Sequence, residues 1–178
     1  MGQSRGRSDS ILHGYQLVMK IAVLKERRPY ERRVAATPDT VKKYRALGYE
    51  VVVEAGAGAQ ASFSEEQYAA AGATISPVTD NALFNADIVL KVQRPMNAGE
   101  GQDELTLLKQ GSTLVGMLNP YAARDDLINY AANGVTTMAM ELIPRITRAQ
   151  SMDVLSSQSN LAGYKSVLDA AEIGRAHV

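Results

Sequence analysis

The residues of this chain best suited to chemistry crowd into one stretch. Between Pro144 and Lys165 the sequence places Arg145, Arg148, Gln150, Asp153, Ser156, Ser157, Gln158 and Asn160 within sixteen positions. A guanidinium offers a fixed fork of donors, an amide offers donor and acceptor, and a carboxylate only accepts. Such a set suits gripping a polar ligand. The stretch follows an apolar run, Val135 to Met140, so it reads as a loop hung on a rigid scaffold, where binding groups concentrate. A solvated loop in which Asp153 or Ser151 caps the next helix accounts for the same composition, and composition alone leaves both readings standing.

What is missing narrows the chemistry further. The chain has no cysteine, which removes disulfides, thiolate metal sites and thiol catalysis. Its two histidines, His13 and His177, lie near the chain ends, so a Ser/His/Asp triad or a His-based metal site is not expected in the folded body. Chemistry there must use carboxylates, Lys, Arg, Tyr or a cofactor. Nineteen basic residues balance nineteen acidic ones, so no global field favours nucleic acid. No apolar run approaches the ~18 residues a membrane-spanning helix needs, and Met1 to Gln16 lacks the apolar segment of a signal peptide.

The elements that would position these groups alternate along the chain. Lys20–Leu24 is a short aliphatic strand. Thr37-Pro38-Asp39 opens a helix: Thr37 caps, Pro38 takes the first helical position and Asp39 suits the positive end of the dipole. That helix runs to Gly48. Val51–Val53 is a strand, Ser64-Glu65-Glu66-Gln67 has capping-box form and starts a helix stopping at Gly72. Ile88–Leu90 reads as a third strand, Asp103–Lys109 as a helix, Thr113–Leu118 as a fourth strand, Ala122–Ala132 as a helix and Val135–Met140 as the last strand. From Asp153 the chain reads helical, with Val154, Leu161 and Leu168 in step. This order predicts an α/β fold, a parallel sheet flanked by helices on both faces. Ligands of such folds bind beyond the carboxyl ends of the strands, which is where Lys91, Asn119 and the 144–153 loop should lie.

One glycine pattern is a decoy. Gly56-Ala57-Gly58-Ala59-Gln60-Ala61 fits G-x-G-x-x-A after a strand, but a dinucleotide fingerprint must open a helix directly so that the pyrophosphate meets the helix N-terminus. Here the helix signal waits until Ser64, and a plain turn is expected.

Several segments together resemble a known family. Lys20 to Glu26, Arg33 to Pro38, Glu54 to Gly58, Ala71-Gly72-Ala73 and Leu90 to Pro95 resemble the N-terminal domain shared by alanine dehydrogenases and nicotinamide nucleotide transhydrogenases. The run Met138 to Asp153, continuing through Leu155 to Tyr164, is more specific and looks like the transhydrogenase α subunit, in its NAD(H)-binding component. The resemblance covers about 19–171. It implies a flavodoxin-like N-terminal domain, with the second, Rossmann domain following the long helix and missing here. It also implies an oxidoreductase in which hydride passes between NAD(H) and NADP(H), the latter on a partner component (the β subunit), coupled to proton translocation. A homodimer of the full-length protein is implied, on the cytoplasmic side of the inner membrane, with membrane contact only through the complex.

On the same resemblance, Arg145 would donate to the nicotinamide-ribose end of the cofactor, Gln150 would contact the ribose and nicotinamide region and bridge to the second nucleotide, Asp153 would orient Arg145 and Gln150, and Ser156 would bond the carboxamide. Gln150 and Asp153 would thus serve the transfer step, with no metal. An alanine dehydrogenase-like enzyme is the alternative. That branch carries a proton-transferring His after the fourth strand, where this chain reads Gly116-Met117-Leu118-Asn119-Pro120. Arg33 and Lys91 match positions that hold the carboxylate substrate in that branch, and here they would serve structure, for example as a strand-end salt bridge. A further alternative is an inactive fragment or interaction module. Residues 1–18 are read as a non-native or disordered extension. Residues 172–178 are read as a read-through tail, since one reading frame of a common sequencing-adapter oligonucleotide encodes them.

Overall fold

The computed structural model describes residues 18–175. The expectations for most of the N-terminal extension, for the last three residues and for both histidines fall outside them.

Six strands form one parallel sheet in the order β3-β2-β1-β4-β5-β6. They are β1 (Lys20–Val23), β2 (Glu50–Glu54), β3 (Thr74–Ser76), β4 (Ile88–Gln93), β5 (Thr113–Met117) and β6 (Thr136–Ala139). The helices are α1 (Pro38–Ala46), α2 (Glu65–Ala70), α3 (Thr79–Leu83), α4 (Arg124–Ala132) and α5 (Val154–Arg175). Side chains of a strand alternate between faces, and the core divides accordingly. Ala22 and Leu24 join Val89, Leu114, Leu118, Leu83 and Tyr130 on the α3–α4 side. Ile21 and Val23 join Val51, Val53, Val41 and Tyr68 on the α1–α2 side. Burial on both faces is why these strands are near-continuously apolar.

The expected caps are present. Thr37 Oγ1 accepts from Thr40 N at 3.3 Å with Pro38 at the first helical position. Ser64 and Gln67 form the reciprocal capping box of α2.

Three details depart from the sequence reading. The edge strand β3 and the short helix α3 were not foreseen; three and five residues are too short for periodicity to show. Without β3 the order is that of flavodoxin-like sheets; with it, the sheet has the order of doubly wound dinucleotide-binding folds. The helix expected over 103–109 is only a 3₁₀ turn, Leu105–Leu107. The reason lies at Glu104, which is wholly buried and turned toward the sheet, while Asp103 ties up Leu105 N. Lys91, expected just past its strand, lies inside β4 and is 4% exposed.

Strands β4 and β5 approach closely where their register shifts between Leu90 and Gln93. A Cβ on Gly116 would stand 2.6 Å from the Lys91 carbonyl oxygen. Only glycine fits there.

Candidate functional site

The carboxyl ends of β5 and β6 carry the polar loop. Glu141, just past β6, accepts from Leu118 N at 3.1 Å and Asn119 N at 2.7 Å, pinning the exit of β5 to that of β6. From Thr147 to Met152 the chain runs as a 3₁₀ stretch anchored by buried Ala149. This tight winding gathers Arg145, Ile146, Thr147, Gln150, Asp153 and Ser156 around one small pocket. All four residues expected to touch a cofactor therefore meet.

Asp153 is the N-cap of α5. Its carboxylate accepts from Ser156 N at 3.0 Å and from Ser156 Oγ at 2.6 Å. Those bonds, aided by the positive charge of Arg145, hold the Asp153 carboxyl below the ordinary carboxylate range. The capping and ligand-binding readings of this residue are thus compatible. The carboxylate fixes the first turn of α5 and keeps Ser156 at the pocket wall. Among the described residues, the side chains of Arg145 and Gln150 make no hydrogen bond, so their donors and the Gln150 acceptor are unspent at the pocket. Arg148 does not line it.

A second polar assembly sits at the ends of β1, β2 and β4, and the sequence reading did not foresee it as a unit. Lys91 Nζ donates to both oxygens of Glu104, at 2.9 and 2.7 Å, and stands 3.9 Å from Glu26. Arg27 pairs with Glu54 and, at 3.3 Å, with Glu104. Thr79 donates to Glu54 at 2.9 Å, and Met96 N donates to Glu104 at 2.8 Å. Burial pushes the Glu26 carboxyl up, against the pull of Lys91. Among the described residues, its Oε2 is buried without a hydrogen-bond partner. The only sequence hint was a run of charges, Lys25 to Arg28, directly behind an apolar strand.

Arg33 is likewise engaged. Its guanidinium meets Glu31 at 2.7 and 2.6 Å and reaches Gln158 at 3.0 Å. Both cations that resemble substrate-carboxylate holders are therefore paired within the protein.

The glycine turn is a turn. Gly56 N donates to Glu65 Oε1 at 3.0 Å, so an amide that a phosphate would need already meets a carboxylate. A 3₁₀ turn, Ala59–Ala61, intervenes before α2.

A doubly wound α/β domain with polar groups gathered at its strand ends is a framework common to nucleotide-dependent oxidoreductases. The chain belongs to the family described as alanine dehydrogenase/PNT, N-terminal domain, whose model matches residues 22–162. It is 54% identical over 159 residues to the NAD(P) transhydrogenase subunit alpha (its first part) of Rhodospirillum rubrum, covering 89% of this chain and 41% of that protein. The crystal structure of transhydrogenase from Sinorhizobium meliloti superposes with a TM-score of 0.80 at 44% identity, over 86% of this chain and 42% of that one. Alanine dehydrogenase 1 of Staphylococcus aureus (strain bovine RF122 / ET3-1) is 32% identical over 153 residues, covering 86% and 38%. The chain thus spans about two fifths of the length of these relatives, and it stands nearer to the transhydrogenase α subunits than to the alanine dehydrogenases. Among the described residues no helix is long and apolar enough to cross a membrane.

Proposed function

We propose that this chain forms one wall of the NAD(H) site of a proton-translocating NAD(P)+ transhydrogenase, with NADP(H) on a partner β component and a homodimer in the full-length protein. The observation that carries the reading is the pocket after β6. There, two side chains with unspent hydrogen-bonding capacity, Arg145 and Gln150, stand beside a fixed Asp153–Ser156 pair. That donor and acceptor set fits a ribose and a carboxamide. When bound, the nicotinamide supplies the hydride. Hydride transfer between two nicotinamides moves no proton on or off either ring, so the protein must align the rings and exclude water. Arg145 would hold the nicotinamide-ribose end through its forked donors, and Gln150 would contact the same region and bridge to the second nucleotide. Asp153 holds the wall rigid by capping α5. Ser156 donates its proton to Asp153 and keeps oxygen lone pairs for a carboxamide N–H.

The test is an NMR titration of the 178-residue chain with NADH. Weak binding is expected, with amide shifts confined to Arg145–Gln158 and abolished by Arg145→Ala. Shifts centred on Gly56–Ser64 would sink the site assignment. Micromolar affinity by calorimetry would refute the one-wall reading. Alanine-dependent NAD+ reduction by the full-length gene product would overturn the transhydrogenase reading.

A further inference from the structure

Helix α5 is attached to the domain at its base and little else. Val154, Leu155 and Asp169 are half-buried; from Ser156 to Leu168 every residue is exposed. Val154 lines a cleft of about 360 Å³ together with Arg33, Lys91, Met117, Met140 and Gln158. Among the described residues, one side-chain hydrogen bond links α5 to anything before Asp153, the 3.0 Å bond from Arg33 Nη1 to Gln158 Oε1.

That bond is the end of a built chain. Gln93, on β4, donates to Glu31 Oε2 at 2.6 Å. The Glu31 side chain is 4% exposed, so its carboxylate is held in place by the body of the domain. Arg33 presents Nε and Nη2 to that carboxylate, at 2.7 and 2.6 Å, and its backbone N–H adds a bond at 3.0 Å. A bidentate pair fixes the guanidinium plane. The third edge, Nη1, is then aimed at α5. The sheet thus reaches the second turn of α5 through Gln93, Glu31 and Arg33, drawn from two segments far apart in sequence.

We propose that Gln93, Glu31 and Arg33 form a tether that sets, through Gln158, the direction in which α5 leaves the sheet, and that Arg33 is thereby a positioning residue for the Asp153–Ser156 wall. The link to that wall rests on the NAD(H) reading above; the tether does not. A helix transmits position along its axis, so holding Gln158 also holds Ser156 and Asp153 half a turn or more away. At ~1.5 Å per residue, Ala170 lies about 18 Å beyond Gln158, and each 10° of swing moves it by about 3 Å.

The chain has no cysteine, so Lys42→Cys with Ala170→Cys gives two clean spin-label sites on the whole 178-residue protein, measured without nucleotide. The parent should give one narrow distance distribution. Gln158→Ala, an exposed change, should broaden it by several ångströms at an unchanged Tm. Exchange of the Ser156 amide should rise about fivefold, the loss of one ordinary hydrogen bond. Arg33→Ala should broaden the distribution equally, and the double variant no more than either alone. Gln158→Glu, which offers Arg33 a carboxylate, should restore the narrow distribution, an outcome a merely structural role of Gln158 does not predict. Equal widths for parent and Gln158→Ala, additive broadening in the double variant, or no rescue by Gln158→Glu would each overturn the tether. Should Arg33→Ala fail to fold, Gln158→Ala and Gln158→Glu decide the matter alone. Failure of NADH to bind would leave these outcomes untouched.

Discussion

Replacing Glu104 by Gln tests the buried charge cluster directly. The Lys91 side chain is 1% exposed and Glu104 is fully buried. The substitution keeps shape but removes the charge 2.7 Å from the ammonium. Breaking one side of a buried pair costs about 3–5 kcal/mol, because the other charge is left uncompensated. Glu26, 3.9 Å from the ammonium, offers partial relief, since a carboxylate charge at that distance attracts the unpaired Lys91. A net loss of about 3 kcal/mol is expected. With a urea slope of about 2 kcal/mol per molar, the denaturation midpoint should fall by about 1.5 M at constant slope. The pH dependence supplies a second reading. The folded Glu26 carboxyl titrates above the ordinary value of 4.5, so the folded state binds the extra proton. Stability from this group is full below pH 4.5 and is lost as pH rises through the folded pKa. Glu104 contributes to that upward push, so in the variant this loss should be complete at lower pH and be smaller. A midpoint shift equivalent to less than about 1 kcal/mol, with an unchanged pH profile, would refute the account.

Four further outcomes follow from the geometry. Tyr30 is fully exposed at φ +66°; Tyr30→Gly should relieve about 1–2 kcal/mol of left-handed strain against about 0.5–1 kcal/mol of added chain entropy, raising Tm by a few degrees, and a fall in Tm would count against it. Gly58→Ala would place a Cβ 2.5 Å from the Tyr68 ring, so thermal unfolding should show a loss of about 2 kcal/mol or more while the NADH-induced shifts stay as in the parent; lost shifts in a folded variant would return the glycine turn to candidacy. The hydrogen bond from Arg33 holds the Glu31 carboxyl down to about 2, so the stability it provides is present above pH 4.5 and is lost as pH falls toward 2; acid titration of Arg33→Ala should lack that part of the limb. Leu161, Tyr164 and Val167 are each more than 60% exposed on α5. Sizing chromatography should therefore show self-association, and a clean monomer would contradict this.

Local signals were legible and remote ones were not. Thr37-Pro38 and the Ser64–Gln67 box announced two helices because capping involves neighbours in sequence. The run after Met140 announced a polar pocket because its residues lie on one short loop. Glu104 misled: within 103–109 it reads as an ordinary helix former, and only Lys91, thirteen positions back in sequence, explains why it turns inward. Arg33 and Gln158, separated by 125 positions, gave no local sign of their pairing. The resemblance placed Arg33 and Lys91 in a strand-end ion pair with no partner named. The structure supplies the partners, Glu31 and Glu104, which spacing could not.

The glycine turn has a consequence for how this domain can diversify. Gly58 leaves room for Tyr68, whose ring packs edge-on against Phe63 and whose hydroxyl donates to the Ala36 carbonyl at 2.8 Å. Ala36 directly precedes the Thr37 cap of α1. A missing side chain at one position thus secures the start of a helix some twenty residues earlier. A larger residue at 58 evicts the tyrosine, and a smaller one at 68 leaves both a void and an unanswered carbonyl. Position 58 is held small from two sides, by the Tyr68 ring at 2.5 Å and by the Phe63 carbonyl oxygen at 2.9 Å, so a change at 68 alone does not free it.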